Sequence, residues 1–217
     1  MVDHDAKYLR SGESGLTVEG VSVERGGRTV LSELSLTVAA GEAILLLGAN
    51  GAGKTTLLKA IAGLLPPAAG NIELSVGDRE LPLAERAHYV GHANGVRASL
   101  SVAENAIFWA QFLGNGTQTV QPALERFGLD ALASVPAGYL SAGQRRRLGL
   151  VRLLLAERPL WLLDEPTTSL DAKSTATLTQ VVDAHIAGGG LAIIATHLPI
   201  KLSRSRQITL APSARAA

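Results

Sequence analysis

Apolar and polar residues alternate through LTVEGVSVERGGRTVLSELSLTV, residues 16–38, on either side of a Gly-Gly pair. A period of two around a glycine turn predicts two antiparallel strands. The run EAILLLG, residues 42–48, is almost wholly apolar, as expected of a strand covered on both faces. It leads into a glycine-rich loop, after which KTTLLKAIAGLL, residues 54–65, has helical spacing. NIELSV (residues 71–76) and HYVGH (residues 88–92) predict a further strand pair, and residues 101–126 read as helical with an interruption at 114–118. A helix over 141–156, a strand at PLWLLDE (159–165), a helix over 172–187, a Gly-Gly-Gly break and a strand at LAIIATH (191–197) complete the pattern. Strands that alternate with helices in the second half predict an α/β fold, with a mostly parallel sheet and helices on both its faces.

Composition changes this picture little. The chain has 217 residues, 47% of them apolar, with a mean hydropathy of +0.22 and a net charge of +1. That is enough for one sizeable core, and it carries no footprint of a nucleic-acid partner. Thiol chemistry is excluded, since there is no cysteine. No stretch offers the ~20 apolar residues of a membrane span; the longest charge-free run, residues 105–124, is broken by GNGTQT. Residues 1–14 lack the apolar centre of a secretory signal and read as a flexible leader, residues 15–210 as a single domain, and residues 211–217 as a flexible tail.

The loop GANGAGKTT, residues 48–56, fits G-x-x-x-x-G-K-[ST] between an apolar strand and a helix. Gly48, Gly51 and Gly53 let backbone N–H groups converge on phosphate oxygens, and Ala49, Asn50 and Ala52 complete the binding loop. The positive end of the following helix dipole points at the same anion. Lys54 neutralises the β- and γ-phosphates, Thr55 offers a hydroxyl to Mg²⁺, and Thr56 completes the motif. The implied ligand is ATP with Mg²⁺.

LWLLDEP places Asp164 and Glu165 at the end of a buried strand, where carboxylates are costly unless paired. Asp164 is the natural partner of the cation beside Thr55, and Glu165 is placed to activate water for attack on the γ-phosphate. A strand-end Asp-Glu that only caps the next turn is the plainer alternative. His197 ends the next buried strand, where it can contact the γ-phosphate and the attacking water or serve as a structural hydrogen-bonding residue.

A second cradle follows from LSAGQ, residues 140–144. Ser141 can cap the helix after it, and the N–H groups of Ala142 and Gly143 join its hydroxyl in an anion site. Arg145, Arg146 and Arg147 sit near the positive helix end; they read as a solvated basic face, or as cations beside an acidic or phosphate group.

In this order GANGAGKTT, LSAGQ, LLDEP, SLD (residues 169–171) and His197 resemble an ATP-binding-cassette (ABC) ATPase over about residues 16–210. The resemblance implies a P-loop ABC-type nucleotide-binding domain with an antiparallel β subdomain and a small helical subdomain over about residues 97–157. It further implies that two copies pack head to tail, so that Ser141, Ala142, Gly143 and Gln144 close on the nucleotide of the partner, with Asp171 at the contact between the two sites. VERGGRTVLSELS, YVGHANGVRASLSVAENAIFWAQFLG, LSAGQRRRLGLVRL, PLWLLDEPTTSLD and THLPI narrow the resemblance to the haem-exporter ATPases of bacterial cytochrome c maturation. That implies a peripheral subunit on the cytoplasmic face of the bacterial inner membrane, forming a homodimer of ATPase subunits bound to integral membrane subunits of the maturation complex. ATP hydrolysis there would drive haem export or release of the haem chaperone. An ATPase of another small-molecule transporter and an ATP-dependent dimerisation switch are the alternatives.

Two positions depart from the general cassette pattern. Arg25 stands where most cassettes put an aromatic against adenine, and a guanidinium can stack on a base in its place. His92 stands where most carry a glutamine near the cation, and its charge depends on pH. Phe108, Trp109 and Phe112 gather on one predicted helix, either as a docking surface for a membrane subunit or as the core of the helical part.

Overall fold

The computed structural model describes residues 14–114, 116–197 and 200–211. The expected leader, apart from Ser14, and the tail beyond Ala211 lie outside them, as do Leu198 and Pro199 of THLPI. The chain divides into two units, one of residues 1–89, 158–165 and 181–217, the other of residues 90–157 and 166–180.

The first unit holds two sheets. Strands β1 (Ser14–Arg25) and β2 (Arg28–Ala39) form the predicted antiparallel hairpin, turning at Gly26 and Gly27 with φ of 57° and 72°. Two successive positive φ values suit a tight hairpin turn matched to strand twist, and glycine takes them without steric cost. β4 (Ala69–Leu74) joins the other edge of β1, giving the order β2-β1-β4. The second sheet runs β5-β6-β7-β3-β8 and comprises β5 (Ala87–Val90), β6 (Leu160–Asp164), β7 (Leu191–Ala195), β3 (Ala43–Leu47) and β8 (Ser205–Thr209). The β6–β7, β7–β3 and β3–β8 pairs are parallel. Every residue of β6 and β7 is buried, which explains their unbroken apolar sequences.

The pairing of NIELSV with HYVGH does not form. β4 goes to the antiparallel sheet and β5 to the parallel one. Both segments have strand character, but alternation specifies a face and not a partner. Helix α1 (Lys54–Ile61) buries Leu57, Leu58 and Ile61 in a core shared with Val18, Val21 and Val23 of β1 and Ile44 and Leu46 of β3.

The second unit is helical. It contains α2 (Val102–Phe112), α3 (Val120–Arg126) and α4 (Ala142–Leu155), which pack pairwise. α2 opens on a reciprocal capping box in which Glu104 N–H donates to Ser101 Oγ (3.1 Å) and Ser101 N–H donates to Glu104 Oε2 (2.7 Å). Helix α5 (Ala172–Ala187) starts in this unit and ends in the first.

Candidate functional site

Within the first unit the loop of residues 48–53 joins β3 to α1. Gly48 has φ 144°, and a Cβ there would lie 2.7 Å from the Leu210 carbonyl oxygen, so neither the conformation nor the space admits a side chain. Gly53, at φ 98°, caps α1 with no side-chain hydrogen bond, and the first turn holds no acidic residue. The orphan N–H groups of this helix start are therefore left for a ligand, and the dipole favours an anion. Ala49, Asn50 and Gly51 line the outer part of the loop, whereas Ala52, Gly53 and Thr56 are buried. Lys54 is buried too, its ammonium donating to the carbonyls of Gly48 (2.7 Å) and Ala49 (3.2 Å), which keeps the positive charge inside the curve of the loop.

Thr55 Oγ1 donates to Asp164 Oδ2 at 2.8 Å, across 109 residues of sequence. Tyr89, on β5, also bonds Asp164 through its side chain; burial first, and then the Asp164 charge, push the phenol up to about 12. Nothing in the residue spacing connects Tyr89 with Asp164, and only knowledge of the strand order could have done so. Glu165 is buried, its N–H donates to Ala195 O at 2.8 Å, and its backbone sits at φ 48°. A non-glycine residue in the left-handed region carries strain, and such strain concentrates at functional sites. His197 Nδ1 lies 2.8 Å from Glu165 Oε2, and the His197 N–H donates to the same oxygen at 3.4 Å. A neutral imidazole donating from Nδ1 presents Nε2 as an acceptor, so this pairing sets the tautomer. The loop, the Thr55–Asp164 pair and the Glu165–His197 pair therefore occur together in one unit. Arg25 is exposed at the end of β1, in register with Arg28.

The second unit carries the other predicted residues. Ser141 caps α4, its Oγ accepting from Gln144 N–H at 3.2 Å while Gln144 Oε1 accepts from Ser141 N–H at 2.8 Å. Ala142 opens the helix and is not among the residues with positive φ, so its side chain is tolerated without strain. A Cβ on Gly143 would come within 2.7 Å of the Ser169 carbonyl, so here close approach of backbone requires the glycine. His92 is exposed and, with Asn94, Ala142, Arg145, Arg146, Thr168 and Ser169, lines a polar pocket of about 140 Å³. Asp171 Oδ1 accepts from Ser174 N–H at 2.7 Å, an N-cap for α5; this bond first, and then the charges of Arg147 and Lys173, hold its carboxyl below the usual carboxylate range.

The three arginines after LSAGQ are not a solvated face. Arg146 is buried and donates to Gly91 O (2.7 Å), Asn94 Oδ1 (3.0 Å) and Pro166 O (3.1 Å). Arg147 donates to Phe127 O (2.7 Å) and Gly128 O (3.1 Å), and only Arg145 is held loosely, by Gly138 O at 3.4 Å. Helical phase carried the signal, because Arg146 shares the face of Leu150 and Leu153, both buried. The aromatic trio differs in burial. Trp109 packs against Arg152 (4.5 Å from guanidinium to ring) and donates to Gly95 O (2.9 Å), while Phe108 and Phe112 stack on one another and stay exposed.

Among the described residues no group of three or more His, Asp or Glu side chains is gathered as a metal cage. A single Thr–Asp pair suits a cation that keeps most of its shell from phosphates and water, as Mg²⁺ does. No helix among the described residues is long and apolar enough to cross a membrane.

A parallel sheet whose strand ends carry a glycine loop, a Thr–Asp pair and a strained glutamate is the nucleotide-binding core of an ATPase. Residues 31–168 match the family model described as ABC transporter. The chain is 52% identical over 188 residues to the cytochrome c biogenesis ATP-binding export protein CcmA of Rhodopseudomonas palustris (strain BisB18), covering 87% of this chain and 94% of that one. To the protein of the same name from Rhodobacter capsulatus it is 49% identical over 197 residues, 91% of this chain and 87% of that one. The solved ATP-binding subunit of an ABC transporter superposes with a TM-score of 0.76 at 28% identity, covering 84% and 80% of the two chains. A dimeric post-hydrolysis cassette bound to ADP and Pi gives 0.73 at 23% identity, covering 84% and 88%. The chain belongs to the ABC transporter ATPases, in the family of CcmA cytochrome c biogenesis ATP-binding export proteins.

Proposed function

We propose that this chain powers a membrane complex that handles haem during cytochrome c maturation, as a pair of identical copies on the cytoplasmic face of the bacterial inner membrane. As an ABC transporter ATPase it binds and hydrolyses ATP. What most supports the division of labour is that the two adjacent acids have separate partners, Asp164 with Thr55 and Glu165 with His197, each at 2.8 Å.

Residues 48–53 offer N–H groups to the phosphates, with Lys54 supplying charge from within the loop and Thr56, which is buried, completing the motif. Thr55 and Asp164 would hold Mg²⁺, which would supply charge neutralisation for the nucleotide's phosphates. Glu165 takes a proton from the attacking water. The water oxygen bonds to the γ-phosphorus as the bond to the bridging oxygen breaks, and ADP keeps that oxygen. His197 holds Glu165 in place for this transfer. From the opposing copy Ser141, Ala142, Gly143 and Gln144 close the pocket, Asp171 lies at the contact, and Arg25 and His92 serve as base-stacking and phosphate-sensing residues of each copy's own site. The partners on this reading are integral membrane subunits of the maturation complex, with haem or its loaded chaperone as cargo.

Glu165→Gln tests the core of this reading. Turnover is expected to fall by about 10²-fold or more with ATP binding retained, because only the proton acceptor is altered. With ATP the variant elutes as a lasting dimer; a strictly monomeric elution at saturating nucleotide would overturn the shared pocket. Tagged chain recovered from membranes should bring integral cytochrome c maturation subunits with it, and their absence would remove the haem assignment.

A further inference from the structure

Residues 91–100 form neither helix nor strand, so their backbone polar groups need partners from elsewhere. Side chains of α2 and α4 supply them. Asn105, itself buried, accepts from Arg97 N–H (2.8 Å) and donates to Arg97 O (3.0 Å), and Trp109 donates to Gly95 O (2.9 Å). Arg152 donates to Asn94 O, and its own pKa is lowered to about 10 by burial and by the neighbouring Arg146 charge. Gly149 lets α4 approach so closely that a Cβ there would meet Asn94 Cβ at 3.0 Å.

Asn105 and Arg152 also bond Ser101 O and Gly149 O at or within their own helices, whereas Arg146 also reaches a third stretch of chain, at Pro166. One guanidinium binds Gly91 O and Asn94 Oδ1 on either side of His92, binds Pro166 O in the residue that follows Glu165, and projects from the helix that Ser141 caps. Keeping two mutually repelling cations buried is costly, so the fold holds this arrangement for the contacts it makes. We infer that Arg146 is a positioning residue for ATP hydrolysis, tying the His92 segment and the chain after Glu165 to the helix of the second cradle so that all three take one arrangement. The inference rests on the reading of residues 141–144 as that cradle.

The test uses the full chain with Arg146→Gln. Trypsin cleavage after Arg97, which is exposed within the held segment, is expected to quicken at least about fivefold, while cleavage after Arg79, in the first unit, keeps its rate. ATP affinity stays within about twofold, and turnover falls at least about tenfold. Arg146→Lys keeps the charge but not the forked geometry, and should fall between; it carries the same test if the glutamine variant does not fold. Unchanged cleavage after Arg97, or wild-type turnover, would overturn the inference. So would equal acceleration at both sites with a lowered melting temperature, the signature of a mere stabiliser. Failure of the second-cradle reading looks different: Ser141→Arg would then turn over at the wild-type rate with Arg97 still protected.

Discussion

His197→Ala removes one defined interaction, the 2.8 Å contact from Nδ1 to Glu165 Oε2, and leaves the weaker 3.4 Å contact from the His197 N–H. A hydrogen bond to a charged group contributes about 1.5–3 kcal/mol. The imidazole is 59% exposed against 9% for the glutamate side chain, so water can replace part of what is lost, and the lower half of that range applies. At about 1.36 kcal/mol per decade this is a fall in turnover of about 13- to 45-fold. Because the residue acts on the proton acceptor and not on the phosphate cradle, equilibrium ATP binding should hold within about twofold. The assay is steady-state phosphate release, run in the wild-type and Glu165→Gln backgrounds. If His197 works by holding Glu165, the second background shows little further loss, since a residue cannot position a base that is no longer there. An equal fold-loss in both backgrounds would refute this and make His197 a direct contact of the nucleotide or the water. A matching loss of ATP affinity would show that the alanine variant had disturbed the loop itself.

Tyr89→Phe should raise the Mg²⁺ concentration for half-maximal turnover by about three- to tenfold, with Mg²⁺-free nucleotide binding unchanged, because Asp164 loses a hydroxyl that helps aim it. An unaltered Mg²⁺ titration would rule out that role. His185 stacks on Trp161 at 3.8 Å, and burial lowers its pKa to about 4 from a free value of about 6.5. The neutral ring is the one that fits the fold, so its stabilisation is complete above about pH 6.5 and is lost as pH falls toward 4. Between about pH 8 and pH 5 this amounts to about 2 kcal/mol, read from urea midpoints as the part of the pH dependence absent in His185→Phe; equal dependence in both proteins would contradict it.

The parts of the fold that could be read in advance are those where burial imposes a composition. β3, β6 and β7 are central strands of a covered sheet, so AILLL, LWLLD and LAIIA announce themselves. β8 does not: as the sheet edge it presents SRQIT, four of five residues exposed, and polar sequence there resembles a loop. The glycine loop and the acid pair were legible because few residue types satisfy a phosphate cradle or tolerate a strand end. The contacts of Tyr89 and Arg146 were not, since each joins residues whose proximity is set by tertiary packing, 75 and 55 positions apart in the cases of Tyr89 to Asp164 and Arg146 to Gly91. Gly190 shows the same limit: the Gly-Gly-Gly break was visible, but not that a Cβ there would run into the His185 ring.

The two helix starts differ in what their first turns leave for a ligand. α1 begins at a glycine with no side-chain cap and no acidic residue in its first turn, so its N-cap residue leaves the orphan N–H groups unsatisfied. A capping side chain contributes about 1 kcal/mol, and here that stabilisation is left for a bound anion to supply. α4 is already capped from both directions by Ser141 and Gln144, and it needs no ligand to keep its first turn. Its Ser141 oxygen has accepted from Gln144 N–H, yet the hydroxyl proton remains to be donated. A helix start satisfied in this way can add a hydrogen bond to a phosphate held elsewhere, but it gains little by capturing one alone. Under the proposed shared pocket the first helix start binds and the second completes, which is the division required if a nucleotide seated on one copy is to draw a second copy onto it.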